Sequence, residues 1–256
     1  MTMIKTLTRK QRELLQREDL ILDTARNLLY THGYLGLTMD KIAESMEYSK
    51  GTIYQHFSCK EEVLTHLCIR SLSLMQELIT RAAQFDGCSR ERITAVMVAY
   101  SLFVFLHPTD FDTLQMLKTC SMRDKTSPES QQALLKSEIQ VHRTITNIVL
   151  DAITLGDLNL RSEILPEEVV FNLWATAYGT LLILSKDVPL IQMGIPEPYS
   201  MLRRMANHFL DSLHWQPLSG KIDGEVLYQR LLENLFAPEV AQLPPEVKQR
   251  FLSIFG

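Results

Sequence analysis

The sequence is poor in chain breakers. Ten glycines and ten prolines are spread over 256 residues, few for a chain of this length, and no sustained period-2 alternation is present, so sheet is disfavoured and helix favoured. The four cysteines, Cys59, Cys68, Cys88 and Cys120, form no CxxC pair and no Cys/His spacing suited to zinc, and the chain opens without a secretory pattern. Reduced thiols in a cytoplasmic protein, without a metal or other cofactor, are therefore expected. The longest apolar run, Val169 to Leu184, has 16 residues and contains Asn172, Thr176 and Thr180. It falls short of the roughly 20 residues that span a bilayer and reads as a helix buried in protein, with no membrane partner. HExxH, GxSxG, P-loop and GxGxxG patterns are all missing, and the seven histidines are scattered, so nothing points to an enzyme.

What is present is an ordinary globular composition, 46% apolar and 22% charged, long enough for one large or two modest domains with a substantial core. Net charge is −4 but unevenly placed: Lys5, Arg9, Lys10, Arg12 and Arg17 face only Glu13 in the first 17 residues. A basic arm precedes an acidic body. Ile21, Ala25, Leu28 and Leu29 repeat at helical spacing, predicting a first helix from residue 12 or 18 to His32, where Gly33 ends it. Thr38 caps a second, two-turn helix with Ile42, Ala43 and Met46 on one face and Asp40 in its first turn. After the polar break Glu47 to Ser49, a third short helix turns Ile53 and Phe57 inward.

Ser58 caps a long helix to about Ala83, with Glu61 and Glu62 in its first turn. Further helices are expected at about 89–106, 109–121, 128–155, 166–185, 197–214, 225–236 and 245–255, with a linker at 216–224 and starts such as Pro166 placed by first-turn chemistry. The fold class is all-α. A head of residues 1–62 is followed by a larger bundle at 63–215 and a helical extension at 216–256.

Two short helices joined by three or four residues, packed on a preceding helix, have the dimensions of a helix-turn-helix whose second member can enter a major groove. Its outward face comprises Ser49, Lys50, Thr52, Gln55 and His56, with Tyr54 at the edge. No carboxylate occurs between Tyr48 and Lys60. Thr38 and Ser49 start helices, so their N–H groups and hydroxyls can meet phosphate oxygens. Gly51 lets the first turn lie close to a DNA backbone. Thr52 and Gln55 can offer hydroxyl, methyl and amide groups to base edges.

The run S-K-G-T-I-Y-Q-H-F-S-C-K, preceded by G-Y-L-G-L-T and T-M-D-K-I-A, resembles the signature of the TetR family of transcriptional regulators over about residues 17–64. The resemblance implies a homodimeric factor, usually a repressor, that binds a double-stranded DNA operator. It makes Lys50, Tyr54 and Lys60 the phosphate-binding candidates, and places an effector pocket in the downstream bundle and a dimer interface on the helices at 166–185 and 197–214. Residues 216–256 extend beyond the usual family length and either pack on the bundle or embrace the second subunit. The family usually has a small residue, a glycine and a branched aliphatic where this chain has Met46, Glu47 and Tyr48. A left-handed Glu47 would cost on the order of 1 kcal/mol, and Tyr48 would either fill the aliphatic site or point toward DNA.

Polar or aromatic residues embedded in the apolar helices are the effector-site candidates: Tyr100, Phe103, His107, Gln115, His142, Asn172 and Tyr178. They suggest a largely apolar small molecule held by a few hydrogen bonds. Cys120 as a redox sensor has no assured basic neighbour. The alternative to a regulator is a helical protein-interaction or assembly module in which the helix-turn-helix is only a fold element. A preferred duplex in a selection from genomic fragments separates the two.

Overall fold

The structure, a computed structural model, describes residues 8–119, 125–186 and 188–255; Lys5 and Cys120 lie outside them. The described residues form helices and connecting turns without strands. They divide into two compact units, one of residues up to Ser71 with Thr109–Lys136, the other of Leu72–Pro108 with Ser137 onward.

In the first unit, α1 (Arg9–Gly36) starts earlier than its apolar periodicity predicts. Thr8 is the reason: its hydroxyl accepts from the Gln11 N–H, and the Gln11 side chain accepts from the Thr8 N–H at 2.9 Å, a reciprocal cap that satisfies two otherwise orphan donors. Arg9, Lys10, Arg12 and Arg17 consequently ride on a helix. Gly33 kinks α1 with φ of 66°, a value glycine adopts without a Cβ clash. Helices α2 (Met39–Ser45) and α3 (Lys50–Tyr54) follow, capped by Thr38 and Ser49 as their side chains predict.

Helix α4 (Lys60–Ala83) begins just beyond Cys59, one residue later than a Ser58 cap would place it. Ile21, Ala25 and Leu29 of α1, Ile42 and Ala43 of α2, Ile53, Phe57 and Leu64 close one core. Burying such side chains contributes roughly 1.5–3 kcal/mol each, enough to hold two helices too short to be stable alone.

Helix α6 (Pro108–Thr119) and the start of α7 (Pro128–Leu155) belong to this first unit. The first compact unit thus draws on two stretches of the chain. Asp110 of α6, almost fully buried, accepts from Arg26 of α1 and from Ser71 of α4, the latter at 2.8 Å. Glu62 accepts from the Ser127 N–H and from the hydroxyls of Ser127 and Ser130. Burial pushes its carboxyl pKa up, but these hydrogen bonds outweigh it and leave the pKa lowered.

The second unit is organised on α5 (Ser89–Leu106), buried on nearly all sides. Helix α8 (Pro166–Leu184) packs against α5 and pairs with α9 (Met201–Ser212). The remainder folds as α10 (Gly224–Gln229), a π-helical turn at Arg230–Leu235, α11 (Ala237–Gln242) and α12 (Pro245–Leu252). Both α11 and α12 lie on α5 of the same chain. Among the described residues, no single helix is long and apolar enough to cross a membrane.

Candidate nucleic-acid interface

Helix α3 is five residues long, and its orientation is fixed by two side chains. Ile53 is 0% exposed and Phe57 2%, so the opposite side faces outward: Ser49, Lys50, Gly51, Tyr54 and Gln55 are exposed and Thr52 is half-buried. The Ser49 hydroxyl accepts from the Thr52 N–H at 3.1 Å and bonds the Thr52 hydroxyl at 2.8 Å. Thr38 accepts from the Lys41 N–H at 3.2 Å. Both hydroxyls thus cap the starts of their helices.

His56 does not belong to that face. Helix α3 ends at Tyr54, and the chain turns before the next helical step, carrying the imidazole inward. Its side chain is 3% exposed, and Nδ1 stands 3.4 Å from a Glu18 carboxylate oxygen of α1. The residue braces the two helices rather than presenting itself to a ligand.

Lys50 reaches back to Asp40 of α2, Nζ to Oδ2 at 2.7 Å, with both side chains well exposed. The hydrogen bond and the charge of Asp40 hold the ammonium pKa above the ordinary lysine value. Asp40 therefore does more than complement the dipole of α2: it pairs with a lysine ten residues on, a contact set by the turn geometry and not by the spacing. Lys60, at the start of α4, places its ammonium 4.1 Å from the centre of the Tyr34 ring, a cation–π contact.

The turn itself takes the strained form. Glu47 has φ of 55°, the left-handed region in which a Cβ crowds the following carbonyl. Tyr48 is 39% exposed and lies under the Arg17 guanidinium, 5.8 Å from ring centre to carbon; it does not fill an aliphatic core site. Replacing Glu47 with glycine should raise the melting temperature by about 1–3 °C, the relief of strain exceeding the added chain entropy by about 0.5–1 kcal/mol. Glu47→Ala removes the same carboxylate without relieving the backbone, so it should give no such rise. Equal melting of the two variants in calorimetry would refute the strain.

The effector-site candidates do not converge as one group. Gln115 is in the first unit, its amide donating to Asp112 at 3.3 Å and to the Phe111 carbonyl; α6 leaves the bundle in which the residue was expected. Asn172 is exposed and bonds back to the Glu168 carbonyl at 2.8 Å. It sits on the outer side of α8 because that helix is apolar all round and its sequence gives no inward phase.

In the second unit, Phe103 is fully buried with its ring 5.8 Å from His107. Tyr100 is hydrogen-bonded to Trp174, whose ring lies 5.7 Å from Tyr178. Desolvation, with Tyr178 nearby, pushes the Tyr100 hydroxyl pKa upward against that hydrogen bond. His142, on α7, bonds Thr146 on the next turn of its own helix, Nδ1 to the hydroxyl at 3.3 Å. Among the described residues, no three His, Cys, Asp or Glu side chains are grouped to hold a metal ion.

A sequence profile described as "Bacterial regulatory proteins, tetR family" matches residues 21–67. The HTH-type transcriptional repressor AcnR of Corynebacterium diphtheriae is 36% identical over 67 residues, 26% of this chain and 35% of that protein. The chain thus spans about a third of the length of this curated relative. A crystal structure of a bacterial regulatory protein in the tetR family from Rhodococcus RHA1 is 19% identical with a TM-score of 0.58, covering 77% of this chain and 96% of its own. FadR from Bacillus subtilis, solved in complex with stearoyl-CoA, is 17% identical with a TM-score of 0.56, covering 80% and 99%. These two structures share the fold.

Proposed function

The chain belongs to the tetR family of bacterial regulatory proteins through its N-terminal domain, and from that premise we propose that it is a dimeric, ligand-responsive repressor of transcription, working in the cytoplasm on a palindromic operator. The observation that carries this reading is the anchoring of α3 by Ile53 and Phe57, which leaves Lys50, Gly51, Tyr54 and Gln55 exposed together. Lys50, Tyr54 and Lys60, with the hydroxyls and N–H groups of Thr38 and Ser49, hold phosphates and set register. Thr52 and Gln55 choose bases, the Gln55 amide being suited to the N6/N7 edge of adenine.

Dimerisation is assigned to α8 and α9. Phe171, Trp174 and Ile183 of α8 and Met205 of α9 are large apolar side chains left exposed, a surface that a second copy can cover. Two recognition helices related by a twofold axis then meet half-sites about 34–36 Å apart. The effector is a small molecule, largely apolar, bound in the second unit near Tyr100, Phe103, His107 and Tyr178; the Phe103 ring stands beside His107, and Trp174 beside both Tyr100 and Tyr178. It acts by preferring a conformation in which the two heads no longer match the operator.

Selection of bound duplexes from random DNA tests the reading. A preferred palindrome is the expected product, and recovery of no preferred sequence would leave the interaction-module alternative standing. Gly51→Ala sharpens the test. A Cβ there would meet only the Ser49 hydroxyl oxygen, at 3.7 Å, an ordinary contact, and alanine is the better helix former by up to about 1 kcal/mol. The variant should therefore melt no lower than the parent yet bind the selected operator about tenfold more weakly, because its methyl occupies the space a phosphate approaches. Unchanged affinity would remove the close approach from the mechanism.

A further inference from the structure

Residues beyond Trp215 grip one corner of the second unit, the junction of α4 and α5. Arg81, in the last turn of α4, makes two parallel hydrogen bonds to Glu239 of α11, at 2.7 and 2.9 Å, and a third to the Leu235 carbonyl at 3.0 Å. Its guanidinium also lies 5.1 Å from the centre of the Phe236 ring, itself fully buried. Paired, planar contacts of this kind fix direction as well as distance. A second grip is independent of the first: Arg230 donates to the Asp86 carbonyl at 2.5 Å and stacks 4.6 Å from the Phe85 ring. The Glu239 side chain is 15% exposed and that of Arg81 41%, so the pair is half-buried and more than a fully exposed surface ion pair.

What is gripped matters because α4 is one uninterrupted helix from Lys60 to Ala83, a rod of about 36 Å by its rise per residue. Its first residue, Lys60, is a phosphate-binding candidate, and the recognition helix ends only a few residues earlier. A change of about 5° in the direction of such a rod moves its far end by about 3 Å, close to the rise of one base pair along duplex DNA.

We propose that the C-terminal extension braces α4, with Arg81 and Glu239 as positioning residues that set which half-site spacing the dimer accepts. The proposal rests on the DNA-binding reading above. It assigns no ligand contact to either residue; they act through the direction of α4.

The test uses the full chain and the duplex recovered by selection, together with versions whose half-sites are one base pair closer and one farther apart. The wild type should prefer the native spacing by about tenfold or more. Glu239→Gln, Arg81→Gln and Arg230→Gln should each reduce that preference to about threefold or less, while sedimentation shows the same dimer mass. A merely structural loss would lower affinity for all three duplexes alike, in step with melting temperature, and that result overturns the proposal. So does a wild-type ratio retained in all three variants. Failure of the wild type to select any duplex overturns the DNA-binding reading and the brace with it, and is thereby distinguished from failure of the brace alone.

Discussion

Lys50→Ala combined with Lys60→Ala should weaken binding to duplex DNA of every sequence by about two orders of magnitude at moderate salt and reduce the salt slope by about two. The argument is geometric. Both ammonium groups sit beside an exposed recognition surface, one before and one after the anchoring Ile53 and Phe57, and a phosphate contact releases counterions whatever bases lie beneath it. Asp40→Asn should act in the opposite direction, strengthening binding several-fold, since the carboxylate that occupies Lys50 at 2.7 Å is removed along with its repulsion of phosphate. The Lys50–Asp40 pair is exposed and contributes little to stability, so melting of these variants should match the parent. Anisotropy titrations across a salt series decide the matter: an unchanged slope in the lysine double variant refutes its two phosphate roles, whereas Gln55→Ala should change sequence preference at constant slope.

The largest loss of stability is expected at Arg90, in the second unit. Its side chain is 0% exposed, pairing with Asp211 at 2.7 Å and donating to the Trp215 carbonyl at 2.8 Å and the Asn207 carbonyl at 3.3 Å. Burial pushes the guanidinium pKa down, and Asp211 pulls it back. The arginine therefore ties α5 to α9 and to the chain just beyond it, donating to a carbonyl within the helix and to one after its end. Next to it, the Trp215 indole donates to Ser89 at 2.9 Å, and Ser89 donates to Asp157 at 2.6 Å.

Arg90→Ala strands the Trp215 carbonyl and leaves Asp211 without its counter-charge, a change that costs about 3–5 kcal/mol when fully buried. Because Asp211 is 30% exposed, the lower end applies, and a melting temperature lower by roughly 6–12 °C should follow. Arg90→Lys keeps the charge but cannot reach all three acceptors, so it should recover only part of the loss. A calorimetric fall below about 1 kcal/mol for the alanine variant would show that the surrounding groups re-pair without it.

Several helix boundaries were legible from local chemistry, although the Thr8–Gln11 cap that starts α1 was not among them. Thr38, Ser49 and Pro166 stand at the helix starts their side chains predict, and Gly33 takes the positive φ expected where the first helix breaks. Legibility fails where phase or partner is decided at long range. His56 lies beyond the last turn of α3, so projecting the helical period through it gave the wrong side. Gln115 was displaced because α6 is tied to α1 by Arg26 and Asp110, 84 residues apart, a pairing no periodicity records. Asn172 sits on a helix with apolar residues all round, which leaves rotation undetermined. Arg90 carried no warning, since arginine is almost never fully buried without a partner and its partner Asp211 is 121 residues away. The signature around Lys50, by contrast, was readable because helix starts, turn and anchors all fall within one short segment.

The two tryptophans stand in opposite surroundings: Trp215 is sealed at 0% exposure, while Trp174 is 39% exposed on α8 and hydrogen-bonded to Tyr100. Indole emission is thereby divided into a blue, quencher-resistant component and a red, quencher-sensitive one, giving the native chain a built-in optical gauge. Association through α8 would shift the red component alone, and an effector lodged beside Tyr100 would disturb the same fluorophore from its other flank, so assembly and occupancy can be followed without attaching a dye.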